Sequence, residues 1–227
     1  NFMNVRHWNI STVGSPPFGM TKYEDKLAKH LEGLGETVEQ IRRKKGIVFG
    51  NTISSWFTRY HQGDSDLVHA TFQTIAPASL LRDLDSFVIT VHDLAPIVYR
   101  EEIKDISTRL QWAFTPRALG KADQIIAISE FTKQELVRLT DISAADITVV
   151  HQGVDHDRYT PMETSRCRNY FGLDQDTTYM LVVSSNKAHK QLSQIPAILD
   201  AVRDERDDVK ALKSGYGTEL EGDGIVS

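Results

Sequence analysis

Several residues with chemical potential stand where strand-sized apolar runs end. Phe87–Val91 runs into His92 and Asp93, Gln124–Ile128 into Ser129 and Glu130, and Ile147–Val150 into His151, Gln152, Gly153, Val154 and Asp155. An imidazole there can donate or accept a proton or hydrogen bond near neutral pH, so His92 is the first catalytic candidate. Ser129 could act as a nucleophile only beside a base, and the chain order offers no triad partner, so a helix-start role competes with it. His69 closes a shorter run from Asp66 to Ala70 and is open between packing and ligand contact. His151, Asp155, His156 and Asp157 follow no familiar ligand spacing, so no metal site is expected.

The elements that must position these residues follow from periodicity. Short continuous runs of β-branched residues bounded by turn formers read as strands buried on both faces of a parallel sheet. In such sheets ligands bind outside the carboxyl ends of the strands, which is where His92, Ser129 and the Gly153 turn fall. A first strand is expected from Phe2 to Ile10, then a loop of turn formers from Ser11 to Gly19. Met20, Tyr23, Leu27, Leu31 and Leu34 next recur at helical spacing, with Lys22, Glu24, Asp25, Lys26 and Lys29 on the opposite face and Gly33 and Gly35 as the stop. A glycine loop between a first strand and a first helix can cradle a phosphate or substrate, or can simply connect. It has neither dinucleotide-fingerprint spacing nor a Walker lysine.

Thr37–Arg43 reads as a second strand, overlapping the basic run Arg42–Lys45. That run is either a solvated edge or a peripheral contact with acidic lipid headgroups. Residues 46–60 are ambiguous, with Trp56, Phe57 and Tyr60 expected to pack inward. Pro77–Leu84 reads as a short helix. Ile103, Ile106, Leu110 and Phe114 would line one face of another, bent or ended at Pro116. A further helix starts at Ser129, or at Thr132 with Glu135 as a capping box, and carries Phe131, Leu136 and Leu139. Alternating strands and helices make the fold α/β and doubly wound.

After Asp155 a polar, proline-containing stretch reads as a linker. A helix from Glu163 to Phe171 then ends at Gly172, and the strand–helix–strand rhythm restarts at Tyr179–Val183, Leu192–Val202 and Val209–Leu212. The expected domains are residues 1–157 and 158–227, the second incomplete, and the opening Asn1 fits a piece of a longer protein. A net charge of −5 over 227 residues gives no basic field for nucleic acid. The single cysteine, Cys167, excludes an internal disulfide and fits a reducing, cytoplasmic compartment. No apolar run approaches the roughly 20 residues of a membrane span.

Taken together, Asp66–Ala70, Val91–Pro96, Ala122–Thr132 and Val150–Asp155 resemble the retaining glycosyltransferases of family four, and the continuation fits: Tyr159–Pro161, Tyr170–Leu173, Leu181–Ser185 and His189–Leu192. The resemblance covers nearly the whole chain in the family order, with the helix after Gly19 matching the family's first. It implies a GT-B architecture of two Rossmann-like domains, the N-terminal one holding an acceptor and the C-terminal one a nucleotide-sugar donor. It further implies transfer of a sugar to an acceptor hydroxyl with retention at the anomeric carbon. The acceptor could be a sugar, a lipid-linked molecule or a small metabolite, and no cofactor is implied beyond the nucleotide sugar, which is a substrate. The resemblance assigns His92 a place beside the reacting sugar, Lys190 to the donor diphosphate and Gly19 to the first glycine loop as a donor-binding candidate; His69 and Ser129 are the acceptor-side candidates, against packing and helix-start roles.

Three departures stand out. Phe18-Gly19 replaces a glycine pair, Gln152 replaces the asparagine of an Asn-Gly-Val-Asp turn, and the arginine that usually precedes the lysine is absent, leaving Lys187 as a substitute point charge for the donor. The family's paired glutamates would fall beyond Ser227. Two alternatives compete with transfer: a non-catalytic sugar- or lipid-binding module, and a nucleotide-sugar epimerase on the same two-domain scaffold.

Overall fold

A computed structural model describes residues 2–15, 19–43, 59–99, 101, 103, 105–185, 190–215 and 223–226. The chain divides into two compact units, Asn1–Gly153 and Val154–Ser227. The first is built on a six-stranded sheet of β1 (Asn4–Thr12), β2 (Thr37–Arg43), β3 (Leu67–Ala70), β4 (Phe87–Val91), β5 (Gln124–Ala127) and β6 (Ile147–Val149). Its spatial order is β2-β1-β3-β4-β5-β6, with every pair parallel. Connections leave β1 in one direction to β2 and return to the other side at β3. The β1/β3 boundary is therefore the topological switch point, the usual place for a ligand crevice.

The expected strands at 37–43 and 87–91 form over those residues. β1 starts two residues later than expected and extends to Thr12. Its weak pattern has a physical cause. Val5 through Asn9 are all buried, so both faces are interior, and the polar members find partners inside. Arg6 donates through Nε to Glu39 Oε2 at 2.9 Å, and the Asn9 amide donates to Gln40 Oε1 at 2.8 Å. Trp8 anchors the core beneath, its ring 5.4 Å from Tyr60 and 5.7 Å from Phe87. Val68, Ile75, Ile89, Val91, Leu119, Ile125 and Leu136 complete that core. Each buried aliphatic or aromatic side chain there contributes about 1.5–3 kcal/mol of transfer free energy.

The helices depart from expectation in which face they bury. α1 (Gly19–Gly33) buries Thr21, Glu24 and Ala28, while Leu34 beyond its end is 76% exposed. Glu24, expected on the solvent face, is interior. α2 (Ile106–Leu119) is capped by Asp105, whose carboxylate accepts the Thr108 N–H at 2.7 Å. Pro116 does not end it; the helix runs one more turn to Leu119. Its buried side carries Gln111, Trp112, Thr115, Ala118 and Leu119, and the expected row of Ile106, Leu110 and Phe114 is exposed. The sequence offers two apolar rows on this helix, and the larger Trp112 ring takes the interior. Ahead of β4, the expected helix at 77–84 is instead a 3-10 segment, Gln73–Leu81. α3 (Glu130–Leu139) buries Leu136 as expected and leaves Phe131 70% exposed. Trp56 and Phe57 lie outside the described residues, while Tyr60 is fully buried.

The second unit holds α4 (Thr164–Phe171), β7 (Thr178–Val183), α5 (Ile195–Arg203), β8 (Val209–Ser214) and β9 (Ile225–Val226). Its parallel sheet has the order β7-β8-β9. Gly172 ends α4 in the left-handed conformation at φ +65, the expected glycine stop. Leu199, Val209 and Ala211 form the core of this unit.

Candidate functional site

The carboxyl ends of β1, β3, β4 and β5 converge with the start of α1 around His92. Its backbone N–H donates to Gln73 Oε1 at 3.1 Å, and Gln73 Nε2 donates to the Asp93 carbonyl at 2.9 Å. The fully buried Gln73 thus clamps the turn that follows β4. On the ring, Nε2 lies 3.0 Å from the Thr71 carbonyl and Nδ1 lies 3.1 Å from Gln152 Nε2. A carbonyl only accepts, so Nε2 carries the proton and Nδ1 is the acceptor. The Tyr23 ring meets the imidazole edge-on at 5.0 Å, and Phe72 lies against it at 5.3 Å. Burial lowers the His92 pKa, opposed by the bond to Thr71 and the charge of Asp93. The ring is therefore held neutral.

Behind it lies a buried polar layer. His69 Nε2 is 2.8 Å from Thr90 Oγ1, and the Tyr23 hydroxyl reaches the same Thr90 oxygen at 3.5 Å. His69 packs edge-on against His7 at 5.2 Å. Burial pushes His7 down to about 4, and burial with the neighbouring His7 and His92 pushes His69 down to about 3. Neither ring nitrogen of His7 has a partner. His69, offered by sequence as an acceptor contact, is 7% exposed and serves the packing beneath His92.

Ser129 is the N-cap of α3. Its Oγ accepts the Thr132 N–H at 3.1 Å and lies 3.0 Å from Thr132 Oγ1, which donates to the His92 carbonyl at 3.3 Å. A hydroxyl so engaged holds the helix start against the β4 turn. Ser129, an acceptor-side candidate with a helix-start role as its alternative, is half-buried and takes the helix-start place beside the His92 turn.

The side chain that sequence reasoning missed is Glu24. Its carboxylate accepts from Ile10 N–H at 2.6 Å, from Ser11 N–H at 3.3 Å and from the Thr71 hydroxyl at 2.9 Å. Burial raises its pKa, while these donors oppose that rise. The two backbone amides can only donate and favour the ionised form, whereas the Thr71 hydroxyl is shared with the Trp8 carbonyl at 3.0 Å. Glu24 ties α1 to the ends of β1 and β3 at the switch point. The available signal was its spacing from Thr21 and Ala28, two small residues on one helical stripe that mark close approach of the helix to the sheet.

Gly19, at the first position of α1, has φ +31 with open space around a would-be side chain. Lys190 is exposed in the second unit, just before Gln191, whose φ of +51 is the one left-handed non-glycine value among the described residues. Lys187 lies outside the described residues. The first unit thus brings together His92, His69, Ser129 and, through Tyr23, the helix that Gly19 opens. Lys190 belongs to the other unit. Among the described residues no group of three or more His, Cys, Asp or Glu could hold a metal. A shallow depression lined by Pro116, Arg117, Arg138 and Ile142 lies at the C-terminal ends of α2 and α3, away from His92, and Arg138 there is paired with Glu135 at 2.7 Å.

An α/β chain of two parallel sheets, with its polar residues gathered at the strand carboxyl ends, has the fold of the GT-B glycosyltransferases. A model of Glycosyltransferase Family 4 matches residues 19–158, more than half of the 227, and the chain belongs to that family. The D-inositol 3-phosphate glycosyltransferases of Mycobacterium sp. strains KMS and JLS are 31% identical over 99 residues, covering 44% of this chain and 22% of theirs. Anabaena Alr3699/HepE, solved in complex with UDP-glucose, superposes with a TM-score of 0.62 at 18% identity, covering 93% of this chain and 60% of that one. A glycotransferase of kitacinnamycin gives a TM-score of 0.50 at 10% identity, covering 99% of this chain and 71% of that one. The chain therefore spans well under two thirds of the curated relatives it matches.

Proposed function

We propose that the protein transfers a sugar from a nucleotide-sugar donor to an acceptor hydroxyl with retention at the anomeric carbon. The residues up to 157 act on the acceptor side and those from 158 on the donor side. The observation that carries this reading is His92. It is a neutral imidazole clamped at the end of β4, beside the switch point of a family-four sheet, where a bound sugar would lie. The departing diphosphate needs preorganised positive charge and N–H donors more than it needs a protein nucleophile. Gly19 at the start of α1, Lys190 and Lys187 are the donor-binding candidates in this reading, as the family resemblance assigns them. His69, Thr90 and Ser129 then act through His92 rather than on the substrate.

That HepE was solved with UDP, with UDP-glucose and with glucose supports a nucleotide-sugar donor and makes UDP-glucose the first to try. The D-inositol 3-phosphate glycosyltransferases make a phosphorylated cyclitol a reasonable small-molecule acceptor to include beside sugar and lipid-linked ones. In this reading the nucleotide sugar is a substrate and no cofactor takes part. Among the described residues no helix is long and apolar enough to cross a membrane. Of the basic run, Arg42 pairs with Asp25 and Arg43 donates to the Ile10 carbonyl at 2.6 Å, while Lys44 and Lys45 lie outside the described residues; a peripheral membrane contact through this run is part of the proposal. The single cysteine keeps a cytoplasmic location as the working assignment.

The test is donor hydrolysis and transfer by the full-length parent protein over a panel of nucleotide sugars and these acceptors, with the anomeric configuration of the product read by NMR. A product with the donor's configuration supports the proposal. An inverted product overturns retention, and absence of turnover together with absence of nucleotide binding overturns the reaction in favour of a binding module.

A further inference from the structure

Gln152 occupies the place of the asparagine expected in the Asn-Gly-Val-Asp turn, and its longer side chain reaches 3.1 Å from His92 Nδ1. The direction of that bond follows from the rest of the ring. Nε2–H is committed to the Thr71 carbonyl at 3.0 Å, so in the neutral imidazole Nδ1 bears a lone pair and Gln152 must present its NH2. Protonating Nδ1 would set two donors against each other until the amide rotated. The ring cannot escape by tilting, because Tyr23 and Phe72 pack on it at 5.0 and 5.3 Å.

We propose that Gln152 is a positioning residue that fixes His92 as a neutral ring with Nε2 protonated and Nδ1 an acceptor. The proposal's bearing on sugar transfer rests on the function proposed above; the ring chemistry itself does not. The other titratable groups facing the imidazole are Tyr23 from α1, His69 from β3 and Asp93 on its own turn. Of these only Asp93 favours the imidazolium, and the clamp of Gln73 on the Asp93 carbonyl fixes that turn's backbone. Among the described residues Gln152 is thus the one neutral donor aimed at Nδ1. It lies one residue before the boundary of the first unit, in the segment that continues into the second. With both nitrogens engaged, His92 offers a ligand no free acid or base. A ligand hydroxyl gains Nδ1 only by taking over the donor role of Gln152.

The experiment is long-range proton–nitrogen NMR of the His92 ring in the full chain, titrated across the acidic range, for wild type, Gln152→Glu and Gln152→Leu. Wild type is expected to show the Nε2–H tautomer, with a pKa below that of a free imidazole. In Gln152→Glu a carboxylate replaces the amide donor, and the pKa should rise by about one to three units. Gln152→Leu should keep the tautomer, which Thr71 still holds, with a smaller rise. Gln152 is exposed, so none of these changes threatens folding. A wild-type Nδ1–H tautomer, or a pKa in Gln152→Glu equal to that of wild type, overturns the proposal. Failure of nucleotide-sugar binding leaves these spectra unchanged and counts against the function alone.

Discussion

Replacing His7 with phenylalanine should make the first unit markedly less sensitive to acid. His7 is fully buried in β1, neither ring nitrogen has a partner, and burial holds its pKa near 4 instead of the ordinary 6.5. A histidine that titrates at 6.5 when unfolded and about 4 when folded binds its proton first in the unfolded state. Stability is therefore full above about pH 6.5 and is lost as pH falls toward 4. Between about pH 7.5 and pH 5 that difference removes about 2 kcal/mol through His7 alone. His69, held near 3, removes a similar amount in the same window, so wild type should lose about 4 kcal/mol from the two. Phenylalanine fills nearly the same space and removes two unpartnered polar atoms, so at about pH 7.5 the variant should be as stable as wild type or more so. The assay is urea unfolding followed by tryptophan fluorescence. All three tryptophans, Trp8, Trp56 and Trp112, lie in the first unit, so the signal reports that unit. Wild type and His7→Phe should differ by about 2 kcal/mol in how much stability each loses over this window. Equal losses would refute the assignment of a buried, neutral His7.

Three further outcomes follow from the same contacts. Glu24→Ala should destabilise the first unit by about 2 kcal/mol or more in urea unfolding, because it strands the Ile10 and Ser11 amides in the interior, while the Thr71 hydroxyl keeps the Trp8 carbonyl. A loss no larger than that of an exposed Glu32→Ala control would show that Glu24 is not interior. Ser129→Ala should cost about 1 kcal/mol by unfolding, the ordinary loss of a helix cap, and Ser129→Asp should restore it. His92→Ala in the full-length enzyme should lower kcat at least about 100-fold, beyond any loss of stability, with a cooperative unfolding transition retained, since the ring sits where the sugar is expected. Unchanged turnover would remove His92 from the reaction.

What could be read from the chain divides by how local the cause is. β4, β5 and β6 were legible because each is a short β-branched run, and a parallel sheet buries such runs on both faces. The α3 cap at Ser129 and the α4 stop at Gly172 were legible because capping depends on one or two neighbouring residues. His92 was legible by position, as the residue that follows a buried run. Its partners were not, because Thr71, Gln73 and Gln152 come from 19 to 60 residues away in sequence. Glu24 read as a surface residue because a carboxylate between lysines normally is one, and only the folded ends of β1 and β3 supply its donors. On α2 the choice between two apolar rows was made by the partner surface, the 3-10 segment Gln73–Leu81 and the sheet, and that surface is not encoded within the helix.

The central claim is donor use, and calorimetric titration of the full-length protein with UDP-glucose and related nucleotide sugars tests it most directly. The account predicts saturable binding of one nucleotide sugar, weakened about tenfold by Lys190→Ala and accompanied by slow release of free sugar. Binding of none of them, with the protein folded, would contradict it.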